Sequence, residues 1–361
     1  MNYFLMVVVA LAIIAFSILG AYVWMFRTLD WINRRTIRDA FFNLPLAERR
    51  ALRLQIQKKA RWLRLLITPL TKLGIRIPVV EFEGTKVPGI CPKDAMAYAR
   101  DYQPEDADIF VATQMKCGTT WMQQIVYQII TKGEGGFSDD GHRHMNALSP
   151  WIESVGSVSL PDAPLVEGRR IVKTHLGTEL CPYSDKAKYI YVVRHPVACL
   201  ASAKDFVSNL MGPMAPQKND FEGWFCSDDM WWGTWASHAE GWWQWSQDKD
   251  NVLFVHYEQL LEHPESEIQR IAEFLDVELN EQQLANAVEK SSYRYMKEND
   301  HYFEMSAPTP MDVGGLSFFV KGSSDRANDV SEEVRQRVNR FCAEELKGAR
   351  YPVTQFYPDV M

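Results

Sequence analysis

Three short stretches of this chain combine residue types that could hold and move a negatively charged group. In the first, Asp108-Ile109-Phe110-Val111-Ala112-Thr113 reads as a buried strand, followed by Gln114-Met115-Lys116-Cys117-Gly118-Thr119-Thr120-Trp121. Met122, Ile125, Val126, Ile129 and Ile130 then recur at helical spacing, which predicts a helix over Thr119 to Thr131. A strand, a turn with Lys and Gly, two Thr and a helix start make a phosphate cradle. Backbone N–H groups at a helix N-terminus face the anion, and the helix dipole favours it. Lys116 adds a charge, and Thr119 and Thr120 add hydroxyl donors. The spacing is not GxxxxGK[ST], because only one Gly is present and the Lys precedes it. A P-loop nucleotide kinase or NTPase therefore fits poorly, and a plain capped turn is the other reading.

The second stretch is Ile171-Val172-Lys173-Thr174-His175-Leu176, an apolar run ending with Lys and His two apart. A neutral-pH base could stand here, although a lone His after a strand is more often a cap or surface residue. The third is Val192-Val193-Arg194-His195-Pro196, with Ser202 eight residues after the Arg. Arg at a strand end and Ser two turns into the next helix can converge on one phosphate, the first as a rigid fork and the second as a directed hydroxyl. A structural ion pair is the alternative for Arg194.

The elements that must position these residues alternate. Tyr189 to Val193 and Val252 to His256 read as further strands, and Pro196 to Val207, Pro264 to Leu275 and Ser331 to Leu346 as helices. The expected class is α/β, a parallel sheet flanked by helices on both faces. In such sheets ligands bind at the carboxyl ends of the strands, which is where all three stretches lie. The six cysteines show no CxxC pair, and no His, Cys, Asp or Glu cluster has metal-ligand spacing, so no metal is expected.

With 361 residues, 47% hydrophobic and 24% charged, the bulk is an ordinary folded protein rather than a disordered or fibrous one. The net charge of −7 argues against nucleic acid as the partner of the whole chain, but it is unevenly spread. Residues 1–26 carry no charged side chain, whereas residues 27–72 hold nine Arg and three Lys against three acids. That net of +9 leaves −16 on the remainder. Phe4 to Phe26 is an apolar run that would make a helix of roughly 34 Å, enough to cross a bilayer. It is too long, and its start too poor in basic residues, for a cleaved signal peptide. Arg27, Arg34, Arg35 and Arg38 all follow the run, which predicts a single-pass membrane anchor with the C-terminal mass on the cytoplasmic side. Unpaired cysteines suit that compartment. Leu44 to Leu73 continues as a basic amphipathic helix that could lie on the membrane or pack on the main domain. The expected organisation is a transmembrane anchor at 1–28, a basic juxtamembrane helical segment at 29–78 and the α/β domain at 79–361.

The motifs resemble those of one known family. KCGTTW is similar to the YPKSGTTW loop of the cytosolic-type sulfotransferases, which transfer sulfuryl from 3′-phosphoadenosine 5′-phosphosulfate (PAPS). Met115 stands where that family has Pro, and Cys117 where it has Ser. Lys173-Thr174-His175-Leu176 resembles its KTHLP, with Gly177 replacing the Pro, and Arg194 through Ser202 resembles its RNPKDVAVS. Gly233-Thr234-Trp235 through His238, with Gly241-Trp242-Trp243, is similar to its G-x-W-x-x-H…WW stretch. Val255-His256-Tyr257-Glu258 looks like FYED, Ser291 through Lys297 like TSFxxMK, and Phe318 through Gly322 like F-x-R-K-G with Val320 in place of the Arg. The resemblance covers about residues 79–346, with the motifs in the family's order.

It implies the P-loop-NTPase-like sulfotransferase fold, PAPS as co-substrate without a metal, and a small, hydrophobic acceptor with a hydroxyl or amine. By the same resemblance His175 is the general base, Lys116 stabilises the leaving oxygen and Lys173 neutralises the sulfuryl oxygens. The turn Lys116 to Thr120 would hold the 5′ end of PAPS, and Arg194, Ser202, Lys321 and Gly322 the 3′-phosphate. Trp121 and Tyr293 would sandwich the adenine, with Tyr257 and Ser291 beside the adenosine. A catalytically inactive PAPS-binding protein is the competing reading. Seven of the twelve Trp fall between Trp224 and Trp245, as an acceptor pocket or as scaffold, and scaffold is expected for Trp235, Trp242 and Trp243. The family's dimer-forming K-x-x-x-T-V-x-x-x-E is not seen after Gly322, which leaves the oligomeric state open.

Overall fold

The computed structural model describes residues 3–38, 41–75, 78–156, 159–215, 220–304, 308–309 and 324–361. Two long helices come first, α1 (Tyr3–Asn33) and α2 (Leu46–Lys72). α1 runs on beyond the apolar stretch, because Thr28, Leu29 and Trp31 continue its helix and Met25 and Ile32 find packing partners. Its side chains from Met6 to Leu19 are exposed, and this helix is long and apolar enough to cross a membrane.

α2 has a buried seam. Arg49, Leu52, Ile56, Ala60, Leu63, Ile67 and Thr71 recur every three or four residues and turn inward together. Leu52, Ile56, Leu63 and Ile67 share a core with Met25, Ile32, Phe41 and Phe42. Arg49 heads the seam and is 2% exposed. Its guanidinium donates to the carbonyls of Arg143 (2.7 Å), His301 (3.3 Å) and Phe42 (3.5 Å). Arg53 pairs with Glu304 at 2.7 Å, and the Leu46 N–H donates to Asp139 at 2.8 Å. The start of α2 is thus fastened to the main domain at two of its loops.

The α/β domain opens with a hairpin, β1 (Val79–Phe82) and β2 (Thr85–Pro88), closed by Glu83 and Gly84, both at positive φ as a tight I′-type turn demands. Helix α3 (Lys93–Asp101) leads to β3 (Asp108–Thr113). Then come α4 (Thr119–Ile130), β4 (Arg170–Thr174), β5 (Lys188–Val193) and β6 (Val252–His256). The last four strands form one parallel sheet in the spatial order β4-β3-β5-β6.

Near-continuous burial along these strands follows from helices covering both faces. Ile109, Val111, Ile190 and Val192 face α4 and the helices Pro264–Phe274 and Glu281–Lys290. Phe110, Ala112, Tyr189 and Tyr191 face the helices Pro196–Met211, Trp235–Asp248 and Glu332–Glu345. Trp235 and Trp242 are scaffold, as expected: both are fully buried, and Trp242 stacks on Tyr191 at 5.3 Å. The chain leaves β3 toward β4 on one side and returns to β5 on the other, so the connections part between β3 and β5. That is the switch point at which open parallel sheets bind ligands.

Candidate active site

The turn after β3 has the conformation of an anion cradle. Lys116 (φ 68) and Gly118 (φ 106) are both left-handed, and Gly118 caps α4. Left-handed residues in such a turn curl the backbone so that neighbouring N–H groups converge. Gly is required at 118, since a Cβ there would lie 2.8 Å from the Tyr257 ring. Thr113 and Thr119 hydroxyls share a hydrogen bond of 2.6 Å that ties the strand end to the helix start. The Gln114 amide donates to the carbonyls of Trp231 (3.0 Å) and Gly233 (2.7 Å) and fixes the turn from behind. Cys117 points away from this concavity. Its sulfur lies in the core, 3.0 Å from that of Cys199, so at this position only the backbone is available to an anion. Lys116 Nζ sits 4.3 Å from the centre of the Phe206 ring.

The end of β4 carries Lys173 and His175, 1% and 3% exposed. His175 Nδ1 lies 2.8 Å from the Thr113 carbonyl oxygen. A carbonyl can only accept, so Nδ1 carries the hydrogen and Nε2 keeps its lone pair. The His175 carbonyl accepts from His238 Nε2 at 2.9 Å, and His238 Nδ1 in turn accepts from the Tyr191 hydroxyl at 3.0 Å. Glu153, fully buried, accepts the His175 N–H at 2.7 Å and the Thr174 hydroxyl at 3.1 Å. Burial pushes the His175 imidazole well below its usual range, and the Lys173 charge adds to this. The ring is therefore neutral near pH 7. Burial also brings Lys173 down to about 8, against the upward pull of Glu153. Burial raises the Glu153 carboxyl, and its hydrogen bonds oppose that.

Aromatic rings wall this pair. Trp151 and Trp232 lie 5.1 Å and 5.0 Å from the His175 ring, and Lys173 Nζ rests 3.9 Å from the Trp151 ring centre. Trp232 is itself left-handed (φ 61), an uncommon backbone state for a bulky residue. Glu153 and Trp151 are absent from the sequence-based site, and Trp232 entered it only as one of the seven clustered Trp. Their only signal was a Glu and Trp pair in the otherwise apolar Pro150-Trp151-Ile152-Glu153, and a Trp immediately before Gly233.

Arg194 and Tyr257 complete the row of strand ends. The Arg194 guanidinium stacks 4.4 Å from the Tyr257 ring centre and reaches the Lys116 carbonyl at 3.5 Å. Its own carbonyl is held by the Trp235 indole at 2.9 Å. Ser202 lies half-buried on the helix that Arg194 leads into. Trp121 meets Tyr257 edge to face at 5.1 Å and donates to the Ser291 carbonyl at 2.8 Å. The Ser291 hydroxyl is buried and finds no partner among the described residues. Tyr293 starts the next helix, its hydroxyl within 3.3 Å of Lys297 Nζ. Val320, Lys321 and Gly322 lie outside the described residues. Among the described residues no group of three or more His, Cys, Asp or Glu could hold a metal.

Four parallel strands therefore end in a left-handed turn shaped as an anion cradle, a Lys with a neutral His, an Arg and a Tyr. Such a row can hold a phosphorylated nucleotide with one end against the His and an aromatic wall. The family profile described as "Sulfotransferase domain" matches residues 106–350. Human sulfotransferase 1C2 is 28% identical over 287 residues, covering 76% of this chain and 95% of that protein. The guinea-pig (Cavia porcellus) 3-alpha-hydroxysteroid sulfotransferase is 28% identical over 285 residues, covering 76% and 96%. Mouse sulfotransferase 1B1 is 30% identical over 231 residues, covering 62% and 76%. Among solved structures, mouse sulfotransferase SULT7A1 complexed with PAP superposes with a TM-score of 0.61 at 22% identity, covering 77% of this chain and 96% of that one. Retinol dehydratase in complex with androsterone and inactive cofactor PAP gives 0.62 at 21%, covering 76% and 92%. At these identities the structural likeness is one of fold.

Proposed function

Since the chain belongs to the sulfotransferase family, we propose that it moves a sulfuryl group from PAPS to the hydroxyl or amine of a small hydrophobic acceptor, with His175 as general base. One observation carries this reading. His175 is neutral, its proton is fixed on Nδ1 by Thr113 so that Nε2 keeps its lone pair, and the charges of Lys173 and Lys116 both act on the ring. The residues present also fit the nucleotide. Gly118 lets the turn pass against the Tyr257 ring in a left-handed conformation, and among the described residues the buried Ser291 hydroxyl beside Trp121 has no partner.

PAPS, when bound, supplies the sulfuryl group and a phosphate that departs with the electron pair of the broken S–O bond. His175 Nε2 takes the acceptor's proton as its oxygen or nitrogen bonds to sulfur. Lys173 balances charge on the sulfuryl oxygens, and Lys116 meets charge growing on the departing oxygen. The turn Lys116–Thr120 binds the 5′ end through its N–H groups and hydroxyls. Arg194, Ser202, Lys321 and Gly322 hold the 3′-phosphate, and Trp121, Tyr257, Ser291 and Tyr293 the adenosine. Trp151 and Trp232 present rings rather than polar groups to the acceptor side, which favours an apolar acceptor body. An inactive binding protein would have no use for a base held in one tautomer.

The test is transfer of labelled sulfur from PAPS to a panel of hydroxylated and aminated acceptors by the full-length protein. His175→Ala should lower turnover by about 10²–10⁴-fold with PAP affinity nearly unchanged. Full turnover by that variant would refute the assignment. For placement, we read α1 as a membrane anchor with the domain on the cytoplasmic side, on the strength of the arginines that follow it. A tag at Met361 should resist protease in sealed cells until they are permeabilised, and its cleavage in intact cells would reverse the topology.

A further inference from the structure

α2 carries a second stripe that the fold does not use. Opposite its buried seam lie Leu54, Trp62 and Leu65, with Leu73 just past the helix end, exposed at 58%, 64%, 66% and 79%. At 100° per residue these four fall within an arc of about 100°. Ala47, Ala51 and Pro69 fall in the same arc. Scattered exposed apolar residues are ordinary, but an aligned stripe holding a Trp marks a surface that something covers. Exposed Arg50, Lys58, Arg61 and Lys72 line or interrupt that side, and Glu48 is the one acid in the helix. α2 is also continuous with the anchor: Met25 and Ile32 of α1 share a core with Leu63 and Ile67 of α2, and Lys59 Nζ lies 5.4 Å from the Trp31 ring.

We propose that this outer face of α2 lies in the headgroup region of an anionic bilayer, as a second membrane contact beside α1. The inference rests on reading α1 as the anchor. Apolar stripe, flanking cations and an adjoining span together match an interfacial helix, whose rings and leucines enter the acyl boundary while its cations meet lipid phosphates and carboxylates. The seam facing inward and the stripe facing outward let one helix serve both as a piece of the domain and as its footing.

The test uses the full chain in phosphatidylcholine vesicles with and without phosphatidylserine. Half-buried Cys226 is first replaced by Ser, since the other five cysteines are buried. An environment-sensitive fluorophore is placed in separate proteins at Leu65→Cys, Trp62→Cys, Ile13→Cys and Glu278→Cys. Lipids with nitroxides at shallow and deep positions serve as quenchers. The proposal expects shallow quenching and a blue shift at residues 62 and 65, deep quenching at 13 and none at 278. Removing phosphatidylserine, or introducing Arg50→Glu, Arg61→Glu and Lys72→Glu together, should cut quenching at 62 and 65 several-fold without changing residue 13. Quenching at 13 with none at 62 or 65 overturns the α2 contact and leaves the anchor standing. Quenching at 62 and 65 with none at 13 supports the contact and overturns the anchor. A blue shift at 62 and 65 without lipid quenching overturns the proposal in favour of a second copy of the chain on that face.

Discussion

Replacing Glu153 by Gln should move the alkaline limb of the pH–rate profile rather than scale the whole curve. Lys173 sits near 8 because burial lowers it while the Glu153 charge holds it up. The Gln amide oxygen can still accept the His175 N–H, so the turn keeps its shape while the charge is lost. An interaction of about 1.4 kcal/mol between charges moves a titration by one pH unit. Losing the upward pull of Glu153 should lower the Lys173 titration by about one unit, to near neutrality. At pH 7 the protonated fraction would then fall from about nine-tenths to about one-half, and kcat/KM by about 2-fold. The assay is initial-rate kcat/KM between pH 5 and 9.5, with PAP affinity measured alongside. The variant should approach the wild-type rate toward pH 5.5, where its lysine is protonated again. A loss equal at every pH would show that Glu153 acts only as a structural bracket, and an unmoved limb would remove Lys173 from the rate.

Gly118→Ala forces a left-handed Ala against the Tyr257 ring, a strain of about 1–2 kcal/mol before any clash is counted. PAP affinity by calorimetry should fall at least about tenfold, and an unchanged Kd would show that the turn is not the nucleotide's seat. Arg49→Met leaves buried carbonyls without a donor and should destabilise the protein by about 2–4 kcal/mol. Hydrogen exchange should quicken at residues 139–146 and 300–304 while the rate per folded molecule is kept. Equal exchange there in both proteins would deny Arg49 its role as a fastener.

What could be read in advance was the chemistry at strand ends. Lys116, Lys173, His175 and Arg194 each follow an apolar run, and a parallel sheet brings such termini into one row whatever the loops between them do. Glu153 was hidden because it stands in the long connection between α4 and β4, and its partners are a backbone N–H and a hydroxyl that no pattern announces. The Thr113 carbonyl that sets the His175 tautomer has no side-chain signal at all. Arg49 was counted among the charges of a basic face. Only the packed structure shows that it occupies a seam position, where three carbonyls replace water. α1 outran its apolar segment because helix propensity does not stop where hydropathy does. Val320, Lys321 and Gly322 fall outside the described residues, so their part in the 3′-phosphate grip stands on the motif.

Arg49 also has a mechanical consequence. A domain on a slack tether tumbles about every axis, and its mouth faces the membrane only part of the time. Here α2 shares a core with α1 and is clamped to the domain by buried hydrogen bonds that water cannot readily replace. Tilting the domain against its stalk means breaking those bonds in a dry interior. With α1 seated in a bilayer, as proposed, a tilt of the stalk would be passed to the domain through these bonds rather than lost in a slack linker.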